Sequence, residues 1–195
     1  MISRGVLSFG LGLGTALLCG WIGLPLVLYR EAQQPIQFNH ELHAGETVGM
    51  YCEDCHATDD EGRFGGIPVV ASCEPCHAEP QGETAHEAVL ARDYVGEARE
   101  IEWLVYARQP DNVFFSHAPH VTLAKIPCER CHGDHGATVS LRPYEENRIS
   151  TYSRDIWGRS ASRIRRAEYE GMKMSDCTRC HEQHGVVESC MTCHK

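Results

Sequence analysis

Cys128-Glu129-Arg130-Cys131-His132-Gly133-Asp134-His135-Gly136 sets two thiols three residues apart, an imidazole directly after the second, and another imidazole three residues on. Its first five residues follow a pattern that appears at four other places: Cys52-Glu53-Asp54-Cys55-His56, Cys73-Glu74-Pro75-Cys76-His77, Cys177-Thr178-Arg179-Cys180-His181 and Cys190-Met191-Thr192-Cys193-His194. Two thiols at this spacing reach the two vinyl groups of one porphyrin, and the adjacent imidazole then lies beneath the iron as its proximal ligand. Paired Cys-x-x-Cys units can also bind zinc or form disulfides, but neither chemistry requires a histidine after every pair. The pattern takes ten of the 11 cysteines and five of the 12 histidines. It predicts five covalently attached groups of haem c, ligated by His56, His77, His132, His181 and His194.

Seven histidines remain: His40, His43, His86, His117, His120, His135 and His184. Six of them sit in repeats. Phe38-x-His40-x-x-His43 before Cys52 returns as Phe115-x-His117-x-x-His120 before Cys128. His132-x-x-His135-Gly136 returns as His181-x-x-His184-Gly185, and Val69-Val70-Ala71-Ser72-Cys73 echoes Val186-Val187-Glu188-Ser189-Cys190. The chain reads as a duplicated two-haem unit with an insertion before the fourth motif. His135 lies three residues after His132, on one face if the segment is helical, so the two serve different irons. The same reasoning separates His40 from His43. His86 stands alone in Thr84-Ala85-His86-Glu87-Ala88 as a further candidate. Five irons with two imidazoles each leave two candidates over. They are either spare or the ligands of a sixth haem without the usual motif. All-imidazole coordination would leave no vacant iron for substrate chemistry, which favours electron transfer over catalysis.

The rest of the chain suits a protein wrapped around cofactors. Outside the N-terminus, large apolar residues are thinly spread and strand-like runs are few, so the expected fold is mostly coil with short α-helices around haems and little β-structure. Gly5 to Tyr29 carries no charge, enough for one membrane-spanning helix. Arg4 before it places the N-terminus in the cytoplasm and the haem domain in the periplasm, and the stretch lacks the small-x-small site of a cleaved signal. The expected organisation is an anchor at 1–30, a first haem lobe at 31–113 with haems 1 and 2, and a second at 114–195 with haems 3 to 5 and an insertion at about 137–172. Net charge is −9, but 17 acidic and 4 basic side chains fall between Glu31 and Val113, against 10 and 12 from Phe114 to Lys195. The two halves therefore face different partners, and no nucleic acid is expected.

Phe-x-His-x-x-His followed by Cys-x-x-Cys-His resembles the class III multihaem cytochromes. That resemblance implies His40 for the Cys52 haem and His117 for the Cys128 haem, with His43 and His120 crossing to other haems. The chain further resembles the multihaem cytochrome c subunits of Qrc-type menaquinone reductases and alternative complex III. The shared features are the N-terminal anchor, Phe38-Asn39-His40-Glu41-Leu42-His43-Ala44-Gly45 and Pro110-Asp111-Asn112-Val113-Phe114-Phe115-Ser116-His117-Ala118-Pro119-His120. They extend to the insertion from Asn147 to Gly158 and to Met172-Lys173-Met174-Ser175-Asp176-Cys177. The first type implies electrons arriving from a soluble basic multihaem cytochrome c and leaving to iron–sulfur and integral membrane quinone-binding subunits; the second implies the reverse flow. The acidic first half favours the first type, because it would attract a lysine-rich donor. A stand-alone membrane quinol dehydrogenase is the other alternative, although here 22 residues, Arg30 to Tyr51, separate the helix from the first motif. Seven arginines from Arg142 to Arg166 are candidates for docking the insertion on a partner subunit.

Overall fold

The computed structural model describes residues 3–157 and 172–194. Helix α1, Arg4–Leu28, is 25 residues long and apolar enough to cross a bilayer. Ser3 caps it by accepting from the Val6 amide, and Cys19–Gly23 forms a π-helical turn within it. The uncharged stretch runs through Tyr29, yet the helix stops at Leu28. From Tyr29 the backbone is drawn into strand β1, Tyr29–Ala32. Its partner lies in the insertion, more than 100 residues away in sequence.

Short helices follow. Asn39 caps α2, His40–Ala44, by accepting from the Leu42 amide. Four of the motifs begin with or contain single-turn helices: α3 at Cys52–Cys55, α4 at Glu74–His77, α6 at Glu129–His132 and α9 at Cys190–Cys193; α5, between the second and third of these, is Ala85–Val89 and runs on into a π-helical segment, Leu90–Val95. Strand β2 is Tyr144–Asn147, α7 is Arg154–Trp157, and α8, Met174–Gln183, carries the fourth motif. Strands β1 and β2 pair antiparallel, from Tyr29 opposite Asn147 to Ala32 opposite Tyr144. They form the one sheet among the described residues. Little sheet was expected. This small one has a specific task, joining the insertion to the end of α1.

The apolar core is small: Ile36, Val70, Leu90, Tyr94 and Ile101, with Val89, Val95 and Trp103 against them. Such a core is too small to organise a domain of this length. Many large apolar side chains stand open, including Phe64, Phe114, Phe115 and Leu123. Polar cross-links supply part of the order. Gln34 donates to the Leu104 carbonyl and accepts from its amide, at 2.9 and 3.0 Å, much as a neighbouring strand would. The Leu141 amide donates to Gln37, the Glu41 amide to the Thr138 carbonyl, and the Phe114 amide to the Cys193 carbonyl. The bonds from Gln37 to Leu141 and from Glu41 to Thr138 join segments on both sides of Val113.

The insertion closes on its own charges. Arg142 grips both carboxylate oxygens of Asp155, whose side chain is only 5% exposed, and lies 4.2 Å over the Tyr106 ring. Arg154 donates to Glu145 at 3.0 Å and sits 4.8 Å from the Tyr29 ring centre. The sequence offered these arginines to a partner subunit. The structure corrects this for Arg142 and Arg154, because the carboxylates of Asp155 and Glu145 fold back onto them. Arg159, Arg163, Arg165 and Arg166, offered with them, lie outside the described residues. Removing the buried partner of a bidentate pair leaves an uncompensated guanidinium. Asp155→Ala should cost roughly 2–4 kcal/mol, Arg142 being partly exposed. Thermal unfolding of the haem-loaded protein should show this as a midpoint lowered by on the order of 10 °C.

Candidate haem-ligand pairs

The Phe-x-His-x-x-His segment folds the same way twice. Phe38 stacks on His43 at 4.4 Å between ring centres and meets His40 edge-on at 4.7 Å. Phe115 stacks on His120 at 4.7 Å and meets His117 edge-on at 4.9 Å. In each copy the second histidine donates from Nδ1 to the carbonyl four residues back: His43 to Asn39 at 2.7 Å, His120 to Ser116 at 2.8 Å. The aromatic ring and the carbonyl together fix the imidazole plane and leave Nε2 free. This part of the duplication read from the sequence is therefore also a structural repeat.

Four imidazole pairs stand at one spacing. His43 faces His77 at 6.1 Å between ring centres, His117 faces His132 at 6.3 Å, His120 faces His181 at 6.1 Å and His40 faces His135 at 6.4 Å. Two imidazoles on one metal, each nitrogen about 2.0 Å from it, hold their ring centres about 6.3 Å apart. The donor set thus fits an iron between each pair. In three pairs, a histidine of a Cys-x-x-Cys-His motif meets one from a Phe-x-His-x-x-His segment. The fourth pair, His40 with His135, contains no motif histidine. By resemblance His40 belongs to the Cys52 haem, but its facing ring is His135, and His56 instead lies near Phe64, 6.0 Å between centres. Phe64 continues to His117 at 4.9 Å, bridging the first and third sites.

Four further ring nitrogens are tied to the chain. His77 Nδ1 meets Glu87 at 2.6 Å, and His181 Nδ1 is bonded to Glu188. His40 Nδ1 pairs with the Thr138 hydroxyl at 3.1 Å; that hydroxyl donates to the His135 carbonyl, so it accepts from His40. His194 Nδ1 reaches the Asn112 carbonyl at 3.2 Å. An acceptor at Nδ1 fixes the tautomer that presents Nε2 to a metal. Burial, then the neighbouring His135, push His40 down to about 4, and burial lowers His117, His132 and His135. All four imidazoles are therefore neutral, the form that binds iron.

His132 and His135 do face different partners, but for a different reason from the one the spacing suggested. Helix α6 ends at His132, and Gly133 turns the chain with a φ of 78° before a 3-10 turn at His135–Ala137. His184 caps α8 and is exposed, as is His86. Among the described residues, His56, His194, His184 and His86 are not brought to a second imidazole at the iron-bridging spacing. Glu87, the neighbour of His86, is the residue of that segment that reaches a site. Neither it nor Glu188 had a sequence signal, since an acid ten or seven residues after a histidine follows no pattern.

The cysteines are all free of disulfides, and among the described residues no three His, Cys, Asp or Glu side chains converge as a metal cage. Burial holds the thiols of Cys55, Cys73, Cys128, Cys131 and Cys177 above their usual range, the opposite of a thiolate poised for zinc or redox exchange. After burial, neighbouring thiols add to the effect: Cys55 on Cys73, Cys52 on Cys128, Cys180 on Cys131 and Cys193 on Cys177. The five motifs thus adjoin in the order second, first, third, fourth, fifth.

Comparison with known proteins agrees with this geometry. A model of the class III cytochrome c family matches residues 25–102. The multihaem cytochrome c subunit of the menaquinone reductase of Nitratidesulfovibrio vulgaris (strain Hildenborough) is 37% identical over 206 aligned positions, which cover 98% of this chain and 90% of that protein. With four iron-spaced imidazole pairs beside the attachment motifs, and that identity along almost its whole length, the chain belongs to the family of menaquinone reductase multihaem cytochrome c subunits.

Proposed function

We propose that this chain is the electron-transfer subunit of a menaquinone reductase complex, held on the cytoplasmic membrane by α1 with its haem domain in the periplasm. The four imidazole pairs carry the reading. When bound, haem c supplies a one-electron couple at each iron. The chain's own part is to set ligand order and spacing. Cys52 and Cys55, Cys73 and Cys76, Cys128 and Cys131, Cys177 and Cys180, and Cys190 and Cys193 would hold five haems. His43 with His77, His117 with His132 and His120 with His181 would close three of the irons on both faces. Ligands three residues apart in sequence join successive sites: His40 and His43, His132 and His135, His117 and His120. These links string the pairs into one wire across both haem lobes, 31–113 and 114–195.

The His40–His135 pair would hold a sixth haem without thioether bonds, since neither residue stands directly after a Cys-x-x-Cys pair. Elemental analysis of the complex purified from its native membrane should then give six irons for each copy of this chain, after subtraction of iron–sulfur clusters. Acidified-acetone extraction should release one haem per chain and leave five bound. A count of five with nothing extractable would remove the sixth site.

His120 offers a direct test of the pairing. His120→Ala should produce one high-spin iron per chain and one new carbon monoxide adduct, at the site of His181. A spectrum unchanged from wild type would reject that assignment.

Electrons would enter from a soluble basic multihaem cytochrome c and leave toward iron–sulfur and membrane subunits. The acidic first half and the likeness to a menaquinone reductase subunit support this route. An acidic face steers a basic partner by long-range attraction, which salt screens. The association rate with a lysine-rich multihaem cytochrome should fall about tenfold or more between low and physiological ionic strength. A rate indifferent to salt would count against this donor class.

A further inference from the structure

Strand β1 leaves α1 without a connecting loop, and β2 runs antiparallel to it. The C-terminal end of β2 therefore returns to the point where the chain leaves the helix. Tyr29 pairs with Asn147, and the Arg148 amide donates to the Leu28 carbonyl at 2.8 Å. Arg148 thus lies abreast of the last residue of α1, and the turn that follows reaches back alongside the helix.

That turn is rigid. The Asn147 side chain accepts from the amides of Ile149 and Ser150 at 2.9 and 3.1 Å, while the Thr151 amide closes on the Asn147 carbonyl at 2.8 Å. Asn147 itself is 8% exposed. Turns of this kind favour small polar residues at the tip. Here the tip is isoleucine, 83% exposed and next to an exposed arginine.

A helix of 25 residues is about 37 Å long, against a hydrocarbon layer of about 30 Å. With Arg4 at the cytoplasmic headgroups, the last turn of α1 emerges into the opposite headgroup layer. Tyr29, a residue type common at that depth, lies there too. We infer that the turn Arg148–Ile149–Ser150 is a second membrane contact, its isoleucine set into the acyl boundary and its arginine among lipid phosphates. This rests on α1 being a membrane span. A lone helix would let the haem domain swivel about its axis. A second contact beside the first fixes which face of the domain meets the membrane, and hence which ligand pairs lie near it.

The test uses the whole complex in its native membrane, with the photoreactive residue p-benzoylphenylalanine replacing Ile149, Leu13 within α1, or Leu123, 77% exposed in the haem domain. After illumination, peptide masses identify what has been captured. Lipid adducts at 149 and 13, with none at 123, support the proposal. Lipid at 13 but protein or nothing at 149 overturns the second contact alone; a protein adduct would mean that a membrane subunit covers the turn. No lipid at 13 overturns the span and the contact together. Ile149→Asp should keep the thermal midpoint of the wild-type complex, because the side chain contributes little inside the chain. A large loss of stability would show that Ile149 serves internal packing instead.

Discussion

Imidazole rings held in pairs, with their centres about 6 Å apart, are the constraint on which this structure turns. Two aromatic bases at that separation neither pack against each other nor hydrogen-bond. Six of the eight are held by a second contact: a phenylalanine ring, a backbone carbonyl, a glutamate or a threonine hydroxyl. The spacing is a property of the scaffold, and it is the spacing at which one metal satisfies both nitrogens. A protein with so small an apolar core can order itself this way only if the space between the rings is filled. The exposed phenylalanines and leucines around the sites are what a chain shaped around large flat cofactors would present.

The repeat explains how few residues are needed. Each Phe-x-His-x-x-His segment uses a single aromatic side chain to orient two histidines toward different sites, so neighbouring sites share a rigid element. His132 and His135 achieve the same sharing by another route, through a glycine in the left-handed region. Short covalent spans between ligands of adjacent sites leave little room for the sites to drift apart. Close, constant spacing is what electron hopping demands. Phe64, between His56 and His117, adds a contact that links the first and third sites across the two halves.

A second organisation, separate from the haem ligands, governs how the domain meets α1. The insertion pairs its strand with the four residues that follow α1, and buries Asp155 and Glu145 against Arg142 and Arg154 to hold its own shape. Charge that looks from composition like a partner-seeking basic loop is partly neutralised within the chain. The acidic surplus of the first half is set against only four basic side chains between Glu31 and Val113. Long-range attraction is therefore concentrated in that half.

The sequence alone determined the chemistry: five thiol pairs with their histidines, six further histidines in repeats, and one apolar stretch long enough to span a bilayer. These are local patterns, since thioether attachment and helix hydrophobicity act over a few adjacent residues. It also held the expectation of little sheet and short helices. Only the tertiary structure decided which imidazole faces which. His40 meets His135 across nearly 100 residues, and no spacing rule reaches that far. Glu87 and Glu188 became positioning residues through folding, while His86, the more conspicuous candidate, remained exposed. The junction of β1 with β2 was equally hidden, because four residues after a helix carry no mark of a strand partner beyond Val113. Pairing of distant groups is set by chain topology, which distributes its cause over the whole molecule.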